Sequence, residues 1–358
     1  MKPFEINIPQ EDIDDLHRRL DQTRWPIEPE GASWAQGTPQ QRLKTLVEQW
    51  RNFDWRAKER ELNEIPQFVT EIDGTPLHFL HVQSPNPNAK PLILTHGWPT
   101  TCFAFQDMIK PLTNDFHLVI PSVPGFGFPG PTTELGWTIP RVAGMFAELM
   151  HRLGYNKYLA HGYDYGAKLT RELGLRETVE AIHVNQIFSA GVTQETADMS
   201  VEAERLSVEK AFRYEYEQFG YVSMQSTRPQ SVAHALTDSP LAQLEWIEWA
   251  FHTWSDPEIG VPLNALLTTA SIFWFTRTAG SSARYYQEGD ETWGELEPPS
   301  DTPTSVAVFP HDVGVAIRRM AERNHAIVRW TEMPRGGHFA ALEVPELMAE
   351  ELRQAFLL

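Results

Sequence analysis

Gly162-Tyr163-Asp164-Tyr165-Gly166 puts a carboxylate where a G-x-S-x-G motif would put its serine. Glycines on both sides of a strand-to-helix bend let the turn tighten until the central side chain stands exposed above the sheet. A serine held in that way attacks carbonyl carbon and forms an acyl-enzyme. A carboxylate is suited instead to displacing a leaving group from saturated carbon, which leaves an alkyl ester. Asp164 therefore points to epoxides or haloalkanes as targets and away from peptides and esters.

Such an ester turns over only if a base drives water onto it, and the base needs a carboxylate to orient it. Among 13 histidines, His338 is the candidate base, because Arg335-Gly336-Gly337-His338-Phe339 forms a glycine-flanked loop after the last strand-like run. Asp312, in Val308-Phe309-Pro310-His311-Asp312, follows the preceding strand-like run and is the candidate orienting acid. Capping the next helix is its alternative use, and Glu322 and Glu332 are rivals for the role. The loop His96-Gly97-Trp98-Pro99 can present a backbone N–H to a developing oxyanion, so the Trp98 and Tyr165 amides are the candidate hole. A plain turn set by Gly97 and Pro99 is the simpler reading of that loop.

Elements of matching type surround these residues. KYLAHG, residues 157–162, reads as an apolar strand and AKLTRELGLRE, 167–177, as a helix, the setting the elbow requires. QFVTEI, PLHFLHV, PLILTHG and FHLVIPS read as earlier strands, followed by the helix PRVAGMFAELMHRLG; AIHVNQIF, SVAVFP and AIVRWTE read as later ones, and a helix from Val344 to Phe356 closes the chain. Strands alternating with helices imply a doubly wound sheet with ligands at the carboxyl ends of its strands.

From Gly191 to Pro299 the strand pattern gives way to the helical runs EAERLSVEKAFRYEYEQFG, LAQLEWIEWAFHTW and PLNALLTTASIFWFTRT. The expected fold class is α/β, an α/β-hydrolase fold with a mostly parallel eight-stranded sheet, a helical lid inserted after strand six and a helical N-terminal extension. Residues 1–65, with Trp25, Trp34, Trp50 and Trp55 and the helical stretches EDIDDLHRRLDQT and QQRLKTLVEQWRNFDW, form the wrapping N-terminal segment. Residues 66–190 and 300–358 form the two parts of the core, and 191–299 the lid. The proline-rich EPPSDTPT, 297–304, reads as a boundary linker.

Composition removes several function classes. A chain of 358 residues can bury a sizeable site, and a net charge of −18 with no basic tract excludes nucleic acid as a partner. The single Cys102 cannot form an internal disulfide and no N-x-S/T sequon occurs, so a cytoplasmic location is expected. The N-terminus lacks an apolar signal core and no run of about 18 apolar residues follows, so no membrane association is expected. Gly125-Phe-Gly127-Phe-Pro-Gly130 matches G-x-G-x-x-G, but Pro129 and Pro131 oppose a helix there, and a loop at the pocket rim replaces the dinucleotide reading. His78 and His81 stand three apart in a strand and face opposite sides, so they are no metal pair. Neither a metal nor an organic cofactor is expected.

HGWP, the G-x-D-x-G elbow, FPHD and RGGHFAALE together resemble the microsomal-type epoxide hydrolases, and the resemblance covers nearly the whole chain. PFEINIPQEDIDDLHRRLDQTRWP resembles that family's own N-terminal region, without the membrane anchor some members carry. The resemblance implies a soluble member that converts a small-molecule epoxide and water to a vicinal diol through an ester on Asp164. It also implies that Tyr221, in Phe219-Gly220-Tyr221 before MQSTRPQSVAHALTDSP, and Tyr286, in SSARYY, are the paired lid tyrosines that hold the epoxide oxygen.

The chemistry asks for them independently. Opening an epoxide expels an alkoxide, and a phenol with a pKa of about 10 stays protonated at neutral pH yet can donate to it. Tyr163 and Tyr285 are the nearest confounders; Tyr285 and Tyr286 point about 100° apart on a helix, so only one can face the site. Members of the family often carry a tryptophan after the nucleophile and a glycine before the elbow, where this chain has Tyr165 and His161. The alternatives are a haloalkane dehalogenase, whose halide needs no proton and hence no lid tyrosines, and a non-catalytic ligand-binding protein on the same fold. A homodimer stands beside the monomer as an open assembly state.

Overall fold

Leu92, Ile93 and Leu94 and all of Tyr158–Gly162 are buried, as strands covered on both faces must be. They lie in the middle of a nine-stranded sheet in the computed structural model, which describes residues 1–185, 187, 193–289 and 298–357. The strands are β1 (Lys2–Pro3), β2 (Gln67–Ile72), β3 (Thr75–Val82), β4 (Lys90–Thr95), β5 (Phe116–Pro121), β6 (Tyr158–Gly162), β7 (Val179–Val184), β8 (Ser300–Val308) and β9 (His325–Glu332). Their order is β1-β2-β3-β5-β4-β6-β7-β8-β9, antiparallel from β1 to the β3/β5 pair and parallel from β5 to β9. The expected eight strands thus gain a ninth. β1 is two residues long, too short to show any alternation, and pairs with the edge of β2. Counted with it, the lid follows β7.

The chain passes from β4 to β5 on one side and then to β6 on the other side of β4, so the strand order switches direction there. A crevice opens at the carboxyl ends of β4 and β6, the usual place for a ligand in a doubly wound sheet. Thr95 of β4 pairs with Gly162 of β6, which brings the segment after Thr95 alongside Tyr163 and Asp164.

The proline-rich stretch 297–304 is not a linker throughout: Ser300–Thr304 already belong to β8. Register shifts between Ser300 and Pro303 and between Thr304 and Ser305 let a strand with a proline join a parallel ladder, since proline has no N–H to give. The expected core-lid border at residues 190 and 191, and the ends of AIHVNQIF and the start of EPPSDTPT, lie outside the described residues.

The lid is built from helices Glu202–Arg213, Gly220–Thr227, Pro229–Asp238, Pro240–Trp254, Leu263–Thr276 and Ala279–Glu288, with a π-helical turn at Tyr214–Gln218. MQSTRPQSVAHALTDSP is therefore mostly helical. The N-terminal helices Gln10–Asp21, Gln40–Arg51 and Trp55–Asn63 pack against this lid. The run expected to be helical from Gln40 to Trp55 breaks where Asp54 caps the third of these helices by accepting from Ala57 N at 3.0 Å. Polar contacts fasten the two layers: the Trp50 indole donates to the buried Ser271 Oγ at 2.8 Å, and the exposed Arg42 pairs with the buried Glu248 at 2.8 Å. Among the described residues, no helix is long and apolar enough to cross a membrane.

Candidate active site

Asp164 ends the turn between β6 and the helix Tyr165–Gly174 with φ +54° and ψ −132°, a conformation L-residues seldom adopt. Strain of this kind persists only where the surroundings over-determine it. Here three glycines do so. A β-carbon on Gly162 would overlap the Gly166 backbone, one on Gly166 would overlap the Thr95 carbonyl, and one on Gly97 would overlap the Asp164 side chain.

The loop after β4 supplies the first contact: Trp98 N donates to Asp164 Oδ1 at 2.8 Å. Val123 N donates to His96 Nε2 at 3.0 Å, so the His96 proton sits on Nδ1, 3.3 Å from the Gly97 carbonyl, and the ring braces this loop. Burial pushes the His96 pKa down to about 4, which keeps the ring neutral. Tyr165, the first residue of the elbow helix, carries a backbone N–H with no helical carbonyl behind it.

β8 and β9 bring the other two groups together. A parallel bridge between His311 and Gly337 extends their pairing beyond the strands, and Asp312 and His338 are the next residues on each side. His338 Nδ1 lies 2.7 Å from Asp312 Oδ1, and its Nε2 lies 3.3 Å from Asp164 Oδ2 without the alignment of a hydrogen bond. Asp312 Oδ1 also accepts from Val313 N at 2.7 Å, but the next helix, Arg318–Ala321, begins after Ile317, so Asp312 does not cap it. Glu322 is engaged by Arg318 at 2.8 Å, and Glu332 is exposed at the end of β9. Burial lowers the His338 pKa, but the flanking carboxylates, Asp312 above all and then Asp164, outweigh it and hold it up at about 10.

Packed over Trp98 from the lid helices are Tyr221, on Gly220–Thr227, and Tyr286, on Ala279–Glu288, each 6 % exposed. Tyr221 stacks on the Trp98 indole at 5.2 Å between ring centres. Tyr286 meets Trp98, Tyr165 and Tyr221 edge-on at 5.8, 4.9 and 5.5 Å. Burial raises both phenol pKa values well above 10, so both stay protonated. Tyr285 points elsewhere and packs on Phe126 and Tyr165, while Tyr163 lies underneath with its hydroxyl 2.6 Å from Thr100 Oγ1. The glycine loop 125–130 holds up the Tyr286 helix: Ser281 Oγ donates to the Gly125 carbonyl at 2.6 Å, and Gly127 N donates to Thr278 Oγ1 at 3.0 Å. Among the described residues, no group of three or more His, Cys, Asp and Glu could hold a metal.

Three groups escaped the sequence reasoning. Tyr214 places its hydroxyl 2.6 Å from that of Tyr221. Glu343 and Asp256 tie the His338 loop to the end of the lid helix Pro240–Trp254. Glu343 accepts from Phe339 N at 3.0 Å and from Asp256 N at 2.7 Å, Asp256 accepts from Gly336 N at 2.9 Å, and His338 N donates to the Trp254 carbonyl at 2.8 Å. Burial lifts the Glu343 carboxyl to about 7 despite these donors. Glu343 is visible in RGGHFAALE, five residues after the histidine, but its acidic side chain at the end of a short helix carries no local sign of a partner in the lid.

Residues 1–105 match the model of the epoxide hydrolase N terminus and residues 92–351 that of the alpha/beta hydrolase family. A relative from Stigmatella aurantiaca, provisionally named an epoxide hydrolase, is 40% identical over 99% of this chain and 84% of its own. Epoxide hydrolase 1 of Sus scrofa is 30% identical over 99% of this chain and 88% of its own. The solved structure of the Aspergillus niger epoxide hydrolase superposes with a TM-score of 0.90 at 29% identity, covering 99% of this chain and 95% of that one. With its strained elbow aspartate, its Asp312–His338 pair after β8 and β9 and these relatives along its whole length, the chain belongs to the epoxide hydrolase family of α/β hydrolases.

Proposed function

We propose that this chain hydrolyses a small-molecule epoxide to a vicinal diol in two steps shared between lid and sheet. The observation that carries the reading is the double use of Trp98: its N–H holds Asp164 Oδ1 while its ring packs on both Tyr221 and Tyr286. This double contact supports a reading in which a nucleophile and two protonated phenols meet across Trp98.

In the first step Asp164 Oδ2 attacks a ring carbon, the C–O bond breaks, and a lid phenol gives its proton to the departing oxygen. Oδ1 stays with the Trp98 N–H. In the second step His338 takes a proton from water, whose oxygen attacks the ester carbonyl carbon. Charge then develops on Oδ1, where the Trp98 and Tyr165 amides stabilise it.

The raised His338 pKa fits this order. With both carboxylates charged the imidazole holds a proton. Esterification removes the charge of Asp164, the imidazole then gives up its proton to restore the phenolate, and a neutral base is left for the water step. As the tetrahedral intermediate collapses, the second hydrogen of the water passes to the departing alkoxide, so the diol leaves, Asp164 regains its carboxylate and His338 keeps the proton it took from water; the cycle closes without a cofactor. The proposed setting is the cytoplasm.

A haloalkane reading leaves the two phenols without work. A panel of styrene oxide, terminal alkyl epoxides, trans-disubstituted epoxides and a 1-haloalkane, followed for diol and for halide, tests the choice. Diol from at least one epoxide and no halide is the expected result; halide release without diol would overturn the reading.

A further inference from the structure

Tyr221 does not stand alone in the lid. Its hydroxyl meets that of Tyr214 at 2.6 Å. A hydroxyl pair at this distance shares one hydrogen, so one oxygen donates and the other accepts. Tyr221 can direct its own proton at an epoxide oxygen only while it accepts from Tyr214.

The backbone between the two tyrosines is unusual. Seven residues of regular helix would span about two turns, yet a π-helical turn, Tyr214–Gln218, interrupts the path from Glu202–Arg213 to Gly220–Thr227. Such turns are rare and gather at functional sites. Tyr214 is partly exposed, whereas Tyr221 is buried. Burial raises the Tyr214 phenol above its ordinary value, and the carboxylates of Asp164 and Asp312 add to the shift, so its hydroxyl stands within the field of the triad. One turn earlier, Lys210 donates to the carbonyls of Pro310 and Asp312, which pins this helix to the acid's own loop.

We propose that Tyr214 is the positioning and proton-relay residue for Tyr221, an inference that rests on Tyr221 as an acid for the epoxide oxygen. As the C–O bond breaks, its electron pair stays on oxygen and takes the Tyr221 proton. The Tyr214 proton moves onto the Tyr221 oxygen, and the negative charge passes transiently to the Tyr214 oxygen. The proton that His338 gives up after esterification, carried by solvent, neutralises it. Two protons shift along two hydrogen bonds, and nothing is oxidised or reduced.

Single-turnover mixing with the fastest epoxide of the panel, followed by tryptophan fluorescence because Trp98 and Trp254 pack on Tyr221, separates ester formation from ester decay. Tyr214→Phe keeps the ring and should slow ester formation about 10- to 100-fold, the loss of one hydrogen bond to a charged oxygen. Ester decay and the melting temperature should stay at wild-type values. Tyr214→Phe combined with Tyr221→Phe should form ester no more slowly than Tyr221→Phe alone, because the two act as one unit. Wild-type ester formation in Tyr214→Phe, or effects that multiply in the double variant, would overturn the relay while leaving Tyr221 as the acid. Equal slowing of both steps with a lower melting temperature would reduce Tyr214 to packing. Wild-type ester formation in Tyr221→Phe would remove the acid assignment and the relay with it.

Discussion

Asp164 is held by backbone: a left-handed φ, three glycines with no room for a β-carbon, and an amide donor at 2.8 Å. Tyr221 and Tyr286 are held by rings, on helices with ordinary dihedrals, against Trp98, Trp254 and Tyr165. In the proposed reaction the sheet half must place a nucleophile and a base within a few tenths of an ångström, and rigid backbone does that. The lid half must keep two phenols dry and protonated, and aromatic burial does that. The two halves therefore ought to fail differently, the sheet by loss of a step and the lid by a graded loss of rate.

The most severe break is on the sheet. Asp164→Asn should lower turnover on the order of 10⁵-fold with no ester formed; an intact-mass adduct in that variant would show another nucleophile. His338→Gln should lower turnover about 10³- to 10⁴-fold while leaving ester formation intact, so the alkylated protein accumulates and is seen by mass spectrometry. Absence of that adduct would mean the base acts in the first step. On the lid, Tyr221→Phe with Tyr286→Phe should slow ester formation about 10³-fold and each single change about 10- to 100-fold, read by the same fluorescence transient; equal slowing of ester decay would blur the division of labour.

Acid should injure the sheet as a matter of stability. His78 and His96 are buried and neutral, with burial pushing their pKa values down to about 3 and about 4. Between pH 6.5 and 4 the unfolded chain binds protons that the folded one refuses, so stability falls as pH drops through that window. Each group loses roughly 2–3 kcal/mol by pH 4.5, which urea unfolding at pH 7 and 4.5 would register; equal midpoints would refute the neutral assignment. The smallest effect lies at the joint of the two halves. Glu343→Gln sets an NH₂ against one of two backbone donors and should slow ester decay about tenfold, with ester formation unchanged; a uniform effect on both steps would give Glu343 a purely structural part.

The same contrast explains what the sequence reveals. A backbone-held site announces itself, because Gly162, Gly166, Gly97 and Gly337 each stand where a β-carbon would strike another chain segment. A ring-held site does not. Tyr221 and Tyr286 are legible only beside the family's lid segments, and Tyr214 lies in the charged run RYEYEQ among exposed neighbours, with only its contact across the π turn to mark it. β8 begins five residues before SVAVFP because the prolines of 297–304 read as loop, and only the register shifts at Ser300/Pro303 and Thr304/Ser305 reconcile Pro303 with a parallel strand. Glu343 and Asp256 touch across 87 residues of sequence, a distance over which local pattern carries no information.

The central claim is that water attacks the Asp164 ester and not the epoxide. One turnover in H₂¹⁸O, with enzyme in excess of epoxide, followed by mass spectrometry of the peptide holding Asp164 and of the product, tests it most directly. One ¹⁸O in the Asp164 carboxylate and an unlabelled diol are expected. Label in the diol with none in Asp164 would contradict it.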